Sequence, residues 1–102
     1  MQYNKLVRDK IPEIIRSKGE IPVIRTLNDE EYAAYLLKKL DEEVEEFRRD
    51  RNVEELADIL EVVYALAENL GCSTDHLMDV YYKKHDQRGG FRERILLISK
   101  EG

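Results

Sequence analysis

Residues 35–70 read YLLKKLDEEVEEFRRDRNVEELADILEVVYALAENL, and the fold follows from how this stretch divides. Leu36, Leu37, Leu40, Val44 and Phe47 recur at helical spacing and line one face within roughly 100°, as an amphipathic helix requires. Asp50, Arg51 and Asn52 interrupt the pattern. Asn52 is suited to cap a new helix, and residues 53–69 carry Leu56, Ile59, Leu60, Val63, Leu66 and Ala67, with Leu70 just beyond. An apolar surface that broad implies contact on two sides, so the second helix is expected to be central. Two helices joined by a tight turn predict an all-α domain.

The same stretch holds its acids in pairs. Glu43 and Glu46 stand three apart on the first helix, and Glu55 and Asp58 three apart on the second. Three residues on a helix turn through an azimuth that leaves the two side chains roughly 60° apart, so each pair points one way. Glu43 falls at the edge of the apolar face and Glu46 a little beyond it, while Glu42 and Glu45 lie further round, with Glu45 toward water. Four carboxylates on adjacent helices, beside the apolar faces rather than opposite them, are candidate ligands for a divalent metal. Glu55 has a rival role, because with Asn52 it can close a capping box. The spacing leaves both open.

Upstream, Asn28 can cap the first helix, with Glu31 closing a capping box and Leu27 placed as a staple. That helix is expected to run to about Arg49. Residues 3–18, YNKLVRDKIPEIIRSK, predict a short helix over 12–18, begun by Pro12 and closed by Gly19. Residues 20–25, EIPVIR, read as an extended arm, since Pro22 argues against a central strand. Lys5, Arg8 and Lys10 are either solvated surface or a basic edge facing phosphate. Downstream, Gly71 ends the second helix and Ser73 caps a third from 74 to about 87, packed through Leu77, Met78, Val80, Tyr81 and Tyr82. Lys84 and Arg88 stand one turn apart before Gly89 and Gly90 break it. The apolar run at 95–98 suits a short strand or a docked tail. The expectation is one domain over residues 1–102: a helical bundle of three main helices plus a short N-terminal one. A single helical layer leaves a large apolar surface bare, so oligomerisation is expected to complete it.

Composition narrows the function. With 42% hydrophobic residues in repeated clusters, 102 residues suffice for one folded core. Cys72 is the single cysteine, so no intrachain disulfide is available. No apolar run reaches membrane-spanning length and the first residues show no secretory pattern, so a cytoplasmic protein without membrane partners is expected. The net charge of −5 is unevenly spread: residues 41–61 hold ten acids against three bases, while 1–25 and 81–102 each hold six bases against three acids. An acidic middle between basic ends suits metal ions meeting a phosphorylated ligand, and equally suits solvated helices. Nucleic acid is not an expected partner, for the basic ends form no long stripe with stacking aromatics.

The candidate ligands all offer oxygen. Zinc generally draws on cysteine and histidine, and Cys72, His76 and His85 have no ligand-like spacing to the acids. Magnesium prefers oxygen donors and is commonly shared between carboxylates and phosphates, so Mg2+, with Mn2+ as a substitute, is the expected cofactor. The chain has neither a P-loop nor a dinucleotide-binding glycine pattern. A bound nucleotide must therefore be held by metal and basic side chains.

EEVEE at 42–46 followed by EELAD at 54–58 resembles the split acidic motif of the MazG-like, all-α nucleoside triphosphate pyrophosphohydrolases. The match falls on Glu42, Glu43 and Glu46, then on Glu55 and Asp58. The flanks YNKLVRDKIPEII (3–15), ADILEVVYALAE (57–68) and the K-x-x-x-R-G-G-F run (84–91) resemble the phosphoribosyl-ATP pyrophosphohydrolase-like branch. The resemblance covers nearly the whole chain. It implies a helical homodimer or higher assembly that cleaves a nucleotide substrate, with Mg2+, to the monophosphate and pyrophosphate. It further implies Glu43, Glu46, Glu55 and Asp58 as metal ligands, with Glu42 beside them as an assisting acid. Glu42 and Glu43 are then the candidate catalytic acids, and Lys84, Arg88, Lys5 and Arg8 the candidate phosphate contacts. The class of non-standard nucleotides cleared by house-cleaning enzymes is one expected substrate. A rival expectation keeps the fold but not the chemistry: a non-catalytic helical module for nucleotide sensing or assembly.

Overall fold

The computed structural model describes residues 3–102, which form four helices and, among those residues, no strand. Helix α1 spans Ile11–Ser17, α2 Asp29–Asp50, α3 Val53–Asn69 and α4 Thr74–Arg88. No helix among the described residues is long and apolar enough to cross a membrane.

Each main helix starts on a side-chain cap. The Asn28 side chain accepts from the Glu31 N–H at 2.8 Å, and the Asn28 N–H donates to Glu31 Oε1 at 3.2 Å, completing the capping box at α2. Arg25 clamps the same carboxylate through two hydrogen bonds of 3.0 and 2.8 Å. That clamp, with the backbone donor of Asn28, holds the Glu31 carboxyl down at about 2. At α3 the Asn52 side chain accepts from the Glu55 N–H at 3.0 Å, and at α4 Ser73 accepts from the His76 N–H at 3.1 Å. Between α2 and α3 the chain reverses within two residues. Arg51 takes a left-handed conformation there (φ 45°, ψ 50°) while its N–H bonds the Phe47 carbonyl at 2.8 Å. Gly71, at φ +85°, closes α3, and the Cys72 N–H reaches back to the Ala67 carbonyl at 2.9 Å.

Helix packing joins α2 to α3 and α3 to α4, and α1 stands apart from all three. The buried apolar side chains are Leu36 on α2 and Val62 and Ala67 on α3. The expected face of α3 is met in part, with Ala67 buried and Ile59, Val63 and Leu66 half-buried. Val62 continues the line of Glu55 and Asp58, so the edge carrying the acids is the one turned to α2. The broader arc through Leu56 and Leu60 stays 47% and 46% exposed. Leu37, assigned to the inner face of α2, is also exposed, as are Val80, Tyr81 and Tyr82 of α4. Tyr81 and Tyr82 meet edge to face, with ring centroids 5.3 Å apart. The run at 95–98 is neither strand nor docked tail, its four side chains being 77–89% exposed.

The outcome is an open shape. The chain extends over 63 × 32 × 22 Å with a radius of gyration of 17.9 Å. A compact chain of about 100 residues has a radius near 13 Å.

Candidate metal centre

The α2–α3 hairpin puts the two acid pairs face to face. One carboxylate oxygen from each of Glu43, Glu46, Glu55 and Asp58 lies within 4.8 Å of all the others. Glu43 is buried, 6% exposed, and the other three are half-buried. Burial of this kind is costly for a carboxylate unless it is paired or binds a metal. The site pairs them incompletely. Glu43 Oε1 meets Lys39 Nζ at 3.3 Å, but Oε2 of Glu43 and Oε2 of Glu55 are buried with no hydrogen-bond partner among the described residues.

Electrostatics follow from that enclosure. Burial pushes the Glu43 carboxyl above its ordinary value, Lys39 opposes the rise, and the Glu46 charge adds to it. Burial likewise raises Glu55, helped by Glu46, Asp58 and Asp50. Two cations touch the four acids, Lys39 on Glu43 and Arg8 on Asp58 at 3.5 Å. Among the described residues four carboxyl groups thus face two cations, a shortfall of positive charge that a divalent ion would offset.

The donor set fits a hard cation. Oxygens about 2.1 Å from a magnesium ion are separated by at most about 4.2 Å, so small side-chain rotations would bring all four into one shell. The two orphan oxygens are acceptors lacking a donor, which is the condition a cation relieves.

The cap reading of Glu55 is only half met. Its N–H is capped by Asn52, but its carboxylate makes no return bond to the Asn52 backbone and joins the acid cluster instead. Glu42 stays outside the four, between Lys5 at 3.9 Å and Lys39 at 4.0 Å. Glu45 faces solvent and pairs with Arg48 at 3.2 Å. Lys5 and Arg8 reach the acids, whereas Lys84 and Arg88 pair with no acid among the described residues, and α4 does not pack on α2. Lys39 is the site residue the sequence reading passed over. Its signal was its spacing, three residues before Glu42 and four before Glu43.

No protein-family model matches the chain, and no solved structure matches it. Over 44 residues, 43% of the chain, it is 66% identical to a protein of Mycolicibacterium smegmatis described as an uncharacterized protein. The matched stretch spans 45% of that relative.

Proposed function

We propose that the chain is a metal-dependent nucleotide pyrophosphohydrolase, with Glu43, Glu46, Glu55 and Asp58 holding Mg2+ or Mn2+. The observation that carries this reading is the pair of buried, unpartnered carboxylate oxygens inside a four-acid cluster. The resemblance of 42–46 and 54–58 to the MazG-like acidic motif supplies the reaction class, and the relative found by comparison neither adds to it nor opposes it.

In this reading water attacks phosphorus, the bond between the α and β phosphates breaks, and monophosphate and pyrophosphate leave. A bound divalent ion supplies charge neutralisation for the polyphosphate. The chain supplies the rest. Glu42, beside the cluster and 4.0 Å from Lys39, accepts the proton of the attacking water. Glu43 is kept in place by Lys39, and Lys5 and Arg8 offer positive charge to the phosphates. Non-standard nucleotides are one substrate class the resemblance allows.

The protein works as a homodimer or larger assembly. Val53, Leu56 and Leu60 form an exposed stripe along α3, with spacings of three and four residues, and such stripes generally mark interfaces.

Purified protein incubated with a panel of nucleoside triphosphates, with and without Mg2+, tests the reading. Monophosphate and pyrophosphate should appear only with metal. If every nucleotide stays intact at high concentrations of folded protein, the chain is not this enzyme.

A further inference from the structure

The basic arm at 3–10 touches both helices of the hairpin. Lys5 Nζ lies 3.9 Å from Glu42 on α2, and the Arg8 guanidinium 3.5 Å from Asp58 on α3. Between them Leu6 is half-buried and shares a shallow groove with Leu27 and Tyr32. Helix α1 lies apart from the other helices, and Leu6 and two ion pairs join the arm to the site. Both pairs are long and partly exposed, and pairs of that kind add little stability. Lys39 differs: it is anchored on α2 itself, with a side chain 18% exposed, and meets Glu43 at 3.3 Å. One cation is built into the site and two are lent to it.

We propose that Arg8 and Lys5 are exchangeable counter-ions of the metal centre. In the metal-free chain they neutralise Asp58 and Glu42. A divalent cation in the cluster would compete with Arg8 for the Asp58 charge and, by repulsion, loosen both Arg8 and the neighbouring Lys5, which then turn to the phosphate oxygens of the ligand. The arm can move in this way because no helix packing is lost. This inference rests on the metal reading above, and both start from the orphan Oε2 of buried Glu43. The exchange has a signature that simple attraction lacks. Arg8 must oppose metal binding and favour phosphate binding.

Calorimetry on the full chain reads both signs. Mg2+ alone is titrated into wild type, R8A, K5A and K18A, and Mg-saturated inorganic triphosphate is then titrated into each metal-loaded protein. K18A removes the same charge from a residue outside the site. R8A is expected to bind Mg2+ about two- to fivefold more tightly than wild type, the range an exposed ion pair is worth. It is expected to bind triphosphate about tenfold more weakly, the loss of one charge-assisted contact. K5A should move both affinities in the same senses, and K18A neither. Circular dichroism should be unchanged throughout, since the arm lies outside the helix packing. Wild type that binds no Mg2+ overturns the metal reading and this inference with it. Wild type that binds Mg2+, with R8A and K5A equal to it or weaker, overturns the exchange alone. So does R8A binding Mg2+ more tightly while its triphosphate affinity stays unchanged.

Discussion

Glu43 holds its carboxylate inside the hairpin with one oxygen on Lys39 and the other on nothing. A residue in that position is a burden to the metal-free fold, and pH reveals it. Glu43 and Glu55 both have folded pKa values raised above the ordinary 4.5, with burial the leading cause. The folded state therefore keeps their protons after the unfolded chain has released its own, and the stability they contribute falls as pH rises from 4.5 through the raised values. Glu31 runs the other way. Its carboxyl is depressed to about 2, so its contribution is present above 4.5 and lost as pH falls toward 2. Thermal melts without metal should thus show a melting temperature that declines from about pH 5 toward neutrality. Excess Mg2+ should remove most of the decline. A metal-free melting curve that rises over this interval would contradict the strained-acid account.

Asp58 allows a sharper test at the same scale. Asp58→Asn keeps the shape and one oxygen but removes the charge, and the Arg8 contact it gives up is partly exposed and worth little. Turnover and Mg2+ binding should collapse, while the metal-free melting temperature should hold or rise, because one member of a repelling cluster has gone. Glu45→Gln, on the solvent side with Arg48, should leave both almost untouched. D58N that melts lower without metal yet keeps its turnover would make the acids structural.

At the scale of the element, the caps at α2 and α3 offer a matched pair. Asn28→Ala and Asn52→Ala each remove a side-chain acceptor at a helix start and should each cost about 1 kcal/mol of stability. Their effects on metal should differ. Asn52 fixes the first turn of α3, which carries Glu55 and leads into Asp58, so N52A should weaken Mg2+ binding severalfold. Asn28 lies 15 residues before Glu43, about 22 Å along the helix, so N28A should leave metal affinity alone. Chemical denaturation beside calorimetry makes the comparison, and equal metal affinities in the two variants would detach the cap from the site.

These caps were legible in the sequence because they depend on residues three apart, as were the acid pairs and the tight turn between α2 and α3, though α2 runs one residue past the expected Arg49. What the sequence could not show was which arc of α3 meets α2. A helical wheel displays the apolar arc around Leu56 and Leu60, but the partner of α2 is chosen by the hairpin turn. That turn placed Val62, Glu55 and Asp58 inside. The contacts of Lys5 and Arg8 were hidden for another reason. Both residues lie on a non-helical stretch before α1, and no periodic pattern encodes the path of such a segment. The tail at 95–98 is apolar enough for a strand, but the described residues offer it no strand to pair with.

The whole molecule leaves its apolar side chains without enough neighbours. Leu36, Val62 and Ala67 are a small core for 102 residues, and the stripe through Val53, Leu56 and Leu60 is open. Light scattering at micromolar concentration should give a mass at least twice the chain mass of 12.1 kDa. Leu60→Lys, which places a charge in the middle of that stripe, should return the mass to that of one chain while far-ultraviolet dichroism stays helical. A clean wild-type monomer across the concentration range would remove the assembly from the account.

The 63 Å length of the single chain also governs how it moves through water. An elongated body drags more solvent than a sphere of equal mass, so the lone chain should diffuse slowly and leave a sizing column ahead of round proteins of 12.1 kDa. Two chains joined side by side through the exposed stripe of α3 would add width rather than length. In such a dimer friction would grow by less than the cube root of the mass ratio, so the frictional ratio would drop on assembly. Diffusion measured across a dilution series, beside the scattering mass, should therefore find the heavier particle to be the rounder one.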